Sequence, residues 1–178
     1  MSSRFDGMRR RVLSALPVLP LALTLAAGVY AMPSAQAAPA RIEPFGADSW
    51  SRLQRELPRP AAVIFTTTDC AYCPDAVEQM AQALHARQPR VPLLVVVMDG
   101  EGKPDILRDP HYKKADRLFA FAGEAAPLQY QINPKWRGIT PYVALFGAQG
   151  APRLITGRPQ AADLQQWLDG AAAGAGGR

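Results

Sequence analysis

A chain of 178 residues, 48% hydrophobic and 20% charged, has material for one ordinary buried core, which excludes a large multidomain enzyme. Its formal net charge of +5 is concentrated at the N-terminus, and without the first 37 residues the chain carries 16 basic against 14 acidic side chains. That near balance, with no run of basic residues interleaved with aromatics, excludes a nucleic-acid-binding surface.

The N-terminus has the three parts of an export signal: the basic cluster Arg9-Arg10-Arg11, an apolar run from Val12 to about Met32, and the small-residue site Ala35-Gln36-Ala37. Cleavage after Ala37 is preferred, because a cut after Ala38 places Pro39 beside the scissile bond. The apolar run approaches spanning length, so retention as an uncleaved N-terminal membrane anchor is the alternative; Pro17 and Pro20 inside it favour cleavage. Arg9-Arg10-Arg11-Val12-Leu13 also resembles a twin-arginine signal, which changes the export route and not the destination. The expected organisation is an export signal at 1–37, one globular domain at 38–169 and a flexible Gly/Ala tail at 170–178. The expected location is the periplasm, where disulfides persist.

Residues Pro39 to Gly46 read as an extended lead-in. Asp48 or Ser49 can cap a first helix whose apolar face is Trp50, Leu53 and Leu57, with Pro58 and Pro60 stopping it. Ala61-Ala62-Val63-Ile64-Phe65 is a short β-rich apolar run, the pattern of a strand buried on both faces. It leads directly into Cys70-Ala71-Tyr72-Cys73, which holds the only two cysteines of the chain.

From Cys73 onward, Val77, Met80, Ala81 and Leu84 repeat at helical spacing, with Pro74 in the first turn and Gln88-Pro89 closing the helix. Pro92 to Met98 is apolar throughout and reads as a central strand. Asp99 to Thr140 spans 42 residues with four prolines, and a helix is expected near Tyr112 to Phe121. So long a stretch between core strands needs structure or function of its own, and partner specificity is placed in this insertion, about 99–139. Pro141 to Phe146 and Arg153 to Thr156 read as a hairpin across the Gly147-Ala148-Gln149-Gly150 turn. A last helix is expected from about Gln160 to Leu168.

Two thiols separated by two residues at the start of a helix are the minimal apparatus for passing a disulfide by thiolate attack. The plain alternative is a structural staple, but a bridge across two residues closes a very small loop and restrains the unfolded chain little. Cys70 is the expected attacking thiol, near the helix N-cap where unpaired amides and the helix dipole favour a thiolate. Cys73, one turn on, is the resolving thiol.

The order of strand, Cys-x-x-Cys helix, strand, irregular stretch, X-Pro strand, hairpin strand and final helix resembles the thioredoxin fold over roughly Arg41 to Asp169. This implies an α/β fold with a central mixed sheet flanked by helices. The residues carrying the likeness are Phe65 leading into Cys70-Ala71-Tyr72-Cys73, Thr140-Pro141 opening the hairpin, and Gly157 before the last helix. The resemblance implies that Pro141 is cis and lies against the active-site disulfide, and that Thr140 offers backbone groups to a substrate strand. Thr140, Tyr72 and the Glu78-Gln79-Met80 continuation are similar to the bacterial periplasmic disulfide oxidoreductases and isomerases. Ile64 stands where cytoplasmic thioredoxin carries a buried aspartate, so any proton relay to Cys73 must be built otherwise.

The function expected on this basis is an exported thiol:disulfide oxidoreductase acting on protein thiols and disulfides, served by an upstream redox partner, with a membrane-bound partner as one option. The substrate surface is expected to include Tyr72, Thr140, Pro141 and, from the approach to that proline, Trp136. No cofactor and no resident metal are expected. Alternatives are a reductase dedicated to cytochrome c maturation and a copper-binding protein on the same fold, whose third ligand comes from His85 or His111. Haem attachment is excluded because Pro74 stands where that motif needs histidine. Zinc is excluded by the small number of nearby ligands.

Overall fold

The computed structural model describes residues 38–175. The export signal read at 1–37 and the last three residues lie outside the described residues. Strands β1 (Ile42–Phe45), β2 (Ala61–Thr66), β3 (Leu93–Val97), β4 (Arg117–Phe121), β5 (Tyr142–Phe146) and β6 (Arg153–Thr156) form one mixed sheet in the order β1-β4-β3-β2-β5-β6. The first four strands in that order run parallel; β5 is antiparallel to β2, and β6 to β5.

The strand periodicity sorts the core into two layers. Ala61, Val63 and Phe65 of β2 point to the side carrying α1 (Ser49–Glu56) and α3 (Ala125–Ile132), where Trp50, Leu53, Leu128 and Ile132 meet them. Ala62 and Ile64 point to the opposite side, against Val77, Met80 and Leu84 of α2 (Cys73–His85) and Leu164 and Leu168 of α4 (Ala161–Ala175). Every residue of β2 and β3 is buried, which is why both read as unbroken apolar runs. At roughly 1.5–3 kcal/mol per fully buried large apolar side chain, these two strands anchor the fold.

The extended lead-in is a paired strand, and two expectations further along the chain are corrected. The lead-in contains a true edge strand, β1, whose Pro44 is tolerated because only one side of the strand is paired. The helix expected near Tyr112 to Phe121 is instead a short 3-10 turn at Tyr112–Lys114 followed by β4. Because β4 lies between β3 and β1, and α3 covers one face, the long 99–139 segment is part of the core as well as an extension of the loop system. The last helix runs to Ala175 through the Gly/Ala stretch expected to be flexible; alanine is the best helix former, and Ala171 is buried.

Candidate functional site

Strand β2 delivers the chain to the site from the middle of the sheet. After its last residue, Thr66, the backbone turns outward through Thr67, Thr68 and Asp69, and the Cys70 amide donates to the Thr67 carbonyl at 3.3 Å. Cys70 and Cys73 are joined as a disulfide with their Cα atoms 5.4 Å apart. The Cys73 amide donates to the Cys70 carbonyl at 3.2 Å, closing a turn before α2 begins at Cys73. The residue bordering the helix is therefore Tyr72, and Cys70 sits three residues ahead of the first helical position rather than on the cap itself.

The two sulfur-bearing residues differ in access. Cys73 is 2% exposed at the start of α2, whereas Cys70 is half-buried. Exchange needs this asymmetry, with one sulfur open to a partner and one sheltered until it is called on to resolve.

The Thr140-Pro141 peptide is cis, and Pro141 immediately precedes β5. The Pro141 carbonyl accepts the Gly157 amide at 2.7 Å, and the Gln79 side-chain amide on α2 donates to the Pro159 carbonyl at 3.1 Å. These bonds draw α2, the proline loop and the segment before α4 around one cleft of about 490 Å³, lined by Tyr72, Asp75, Thr140, Pro141, Gly157 and Arg158 among others. The fold is that of thioredoxin. A central strand feeds a Cys-x-x-Cys helix, and a cis-proline before the antiparallel strand lines one cleft with Tyr72 of that motif.

No family model and no curated protein sequence matches the chain. Among solved structures it is similar to a thioredoxin-related protein from Neisseria meningitidis serogroup B, at 17% identity and a TM-score of 0.49, covering 67% of this chain and 90% of that one. It is also similar to a secreted Mycobacterium tuberculosis disulfide oxidoreductase homologous to E. coli DsbE, at 17% identity and a TM-score of 0.44 over 64% of this chain and 81% of that one. A third is StoA from Bacillus subtilis, at 17% identity and a TM-score of 0.43, covering 63% and 86%.

Within this thioredoxin fold the expected site residues divide. Tyr72, Thr140 and Pro141 line the cleft, and Tyr72 is 77% exposed. Trp136, expected at the substrate surface, is buried instead. Its ring stacks on Tyr142 with centroids 4.3 Å apart and tilts against Phe65 at 5.3 Å, while its Nε1 donates to the Ile139 carbonyl at 2.9 Å. It anchors the loop that leads to Thr140 from beneath.

Sequence reading did not find the contacts that hold the cysteine turn from the other side. Asp99, just past β3, accepts the Thr68 amide at 2.8 Å and the Thr68 hydroxyl. The Lys103 ammonium reaches both the Asp99 carboxylate, at 2.6 Å, and the Thr68 hydroxyl, at 3.0 Å. Burial pushes the Asp99 carboxyl up, but the hydrogen bonds from Lys103 and Thr68 outweigh it and hold the carboxyl below its usual range. Asp75 and Arg158 in the cleft were likewise not singled out, because nothing in their local sequence sets them apart.

Ile64 is fully buried among apolar side chains, so no carboxylate occupies that strand position. Among the described residues the buried polar side chains are Ser49 and Thr66. The Thr66 side chain hydrogen-bonds to the Tyr112 hydroxyl, whose pKa is raised chiefly by burial.

His85 stands apart from the cysteines. His85 is twelve residues along α2 from Cys73, about 18 Å by helix rise. It is partly buried rather than solvent-facing, with its Nε2 2.8 Å from Arg90 Nη2 and 3.2 Å from an Asp116 oxygen. His111 is exposed. Among the described residues no group of three or more His, Cys, Asp or Glu side chains is placed to hold a metal ion.

Proposed function

We propose that the chain is an exported thiol:disulfide oxidoreductase that exchanges disulfides with protein substrates through Cys70 and Cys73. The observation carrying this reading is the contrast in exposure between the two joined residues: Cys70 partly exposed, Cys73 buried at the start of α2.

In the reducing direction the Cys70 thiolate attacks one sulfur of a substrate disulfide. A Cys70–substrate disulfide forms and the other substrate sulfur leaves as a thiolate that takes up a proton. Cys73, having lost its proton, then attacks the Cys70 sulfur, restoring the Cys70–Cys73 disulfide and releasing the second substrate thiolate. Two electrons pass from the pair to the substrate. The oxidising direction runs the same steps backwards: a substrate thiolate attacks Cys70 and expels Cys73. An upstream thiol or disulfide partner returns the pair to its starting state in either case. Thr140 and Pro141 form the wall against which an extended substrate segment lies, and Tyr72 offers it an aromatic surface.

The purified chain is expected to equilibrate its disulfide with glutathione and to reduce insulin when supplied with a thiol. Cys70→Ser should abolish both, and full activity in that variant overturns the mechanism. Cys73→Ser should accumulate a mixed disulfide with a protein substrate through Cys70, visible as a thiol-sensitive mass increase; its absence removes Cys73 as the resolving thiol.

A further inference from the structure

The turn that carries Cys70 is held by a charged pair from outside the motif. Strand β3 is fixed against β2 up to Val97, paired with Thr66, and the Met98 amide continues the ladder to the Thr66 carbonyl at 2.8 Å. Asp99 follows on this rigid end. The next turn is closed by the Gly100 amide to the Val97 carbonyl and the Lys103 amide to the Gly100 carbonyl. A Cβ at Gly100 would stand 3.0–3.1 Å from Val97, Ala120 and Ile106, so the turn is packed close against the core. From this base the Asp99 carboxylate takes both the amide and the hydroxyl of Thr68, and Lys103 bonds to both partners.

We propose that Asp99 and Lys103 are a positioning pair for the exchange reaction, clamping the Thr67–Cys70 turn and tuning the reactivity of the Cys70 sulfur. The inference rests on the proposed exchange chemistry. Thr68 is two residues from Cys70, at most about 7 Å of chain, and with the bonds to Thr68 this brings both charges within roughly 13 Å of the Cys70 backbone. At low ionic strength, where the Debye length is about 30 Å at 0.01 M, an unbalanced charge there is felt by the sulfur, so the comparison is made at low salt. The pair itself is too exposed to matter much for global stability, with side chains 47% and 36% exposed. Its carboxyl is held ionised at neutral pH by Lys103 and Thr68 against the opposing effect of burial. Other charges near the turn and the pair include Asp69 within the turn, Glu101 between the pair in sequence, and Asp105 and Asp109 along the adjoining cleft, Asp105 being paired with Arg108. They stay constant in the test.

The test uses the full chain as wild type, Asp99→Asn, Lys103→Met and Thr68→Val. The readouts are the equilibrium constant with glutathione and the pH midpoint for alkylation of reduced Cys70. Asp99→Asn keeps an accepting oxygen for Thr68 but leaves the Lys103 cation unbalanced. Its alkylation midpoint should fall and its equilibrium should shift towards the dithiol several-fold. Lys103→Met leaves the Asp99 anion unbalanced, and both readouts should move the opposite way. Thr68→Val changes no charge and should move the midpoint less than either. Opposite signs for the two charge variants support the proposal. Shifts of the same sign, or none in either, overturn it, because a purely structural clamp loosens alike in both. A wild type that fails to equilibrate with glutathione overturns the exchange function itself, while the alkylation profiles still report on the pair. Should Asp99→Asn fail to fold, Lys103→Met should raise the midpoint by more than Thr68→Val moves it, and an equal or downward shift overturns the proposal.

Discussion

The Gly157 amide donates to the Pro141 carbonyl across 2.7 Å, and Gly157 makes this bond with φ at +84°. An added Cβ meets nothing within 4 Å, so the requirement for glycine is set by the backbone and not by space. A left-handed conformation costs an L-residue about 1–2 kcal/mol. Gly157→Ala is therefore expected to lower the unfolding free energy by about 1 kcal/mol in urea titration. It should also slow exchange with a protein disulfide more than exchange with glutathione, since the wall of the cleft is what shifts. Equal slowing of both would show that this loop does not contact the larger substrate.

Trp136 and Tyr72 make a paired prediction, one aromatic beneath the site and one on it. Trp136→Ala removes the stacking on Tyr142 and Phe65 and the bond to Ile139, and should cost about 3–5 kcal/mol by chemical denaturation. Trp136→Phe should recover part of that loss. Tyr72→Ala removes a ring that is 77% exposed and should change stability by less than about 0.5 kcal/mol. Its effect should appear as a raised KM for a protein substrate. A large stability loss in Tyr72→Ala, or a small one in Trp136→Ala, would reverse these assignments.

The pH dependence of stability should carry a signature of His85. Burial and then the Arg90 guanidinium push its pKa below the ordinary 6.5, against the opposing pull of Asp116, and Lys114 adds a further positive charge. Arg90 donates to Nε2, which suits a neutral ring. The folded state therefore binds a proton less readily than the unfolded chain. The resulting stabilisation is fully present above 6.5 and is lost as pH falls through the lower folded-state value. Comparing unfolding free energies of wild type and His85→Gln from pH 8 downward, the advantage of the wild type should shrink on acidification below 6.5. An advantage that stays level or grows on acidification would contradict this assignment.

Much of the fold was legible because several segments state their environment locally. The apolar runs of β2 and β3, and the spacing of Val77, Met80, Ala81 and Leu84 along α2, each follow from burial on one element alone. Strand β4 did not declare itself: Leu118 to Phe121 is a short apolar run that suits a buried helix or a buried strand equally well. What makes it a strand is hydrogen bonding to β3 on one side and β1 on the other. Strand β1 depends in turn on β4, so neither is visible without its partner.

The sequence by itself determined the chemistry on offer: two cysteines at exchange spacing between a buried strand and a helix, with Thr140-Pro141 and Gly157 further along the chain. Those features are written in residue identity and short-range spacing. Tertiary structure alone decided which cysteine is buried, that Trp136 is buried against Tyr142 and Phe65, and that Asp99 and Lys103 grip Thr68 from thirty-one and thirty-five residues away. Contacts of that range are set by strand order and by the crossing of separate loops at one end of the sheet, and no local pattern records where those loops meet.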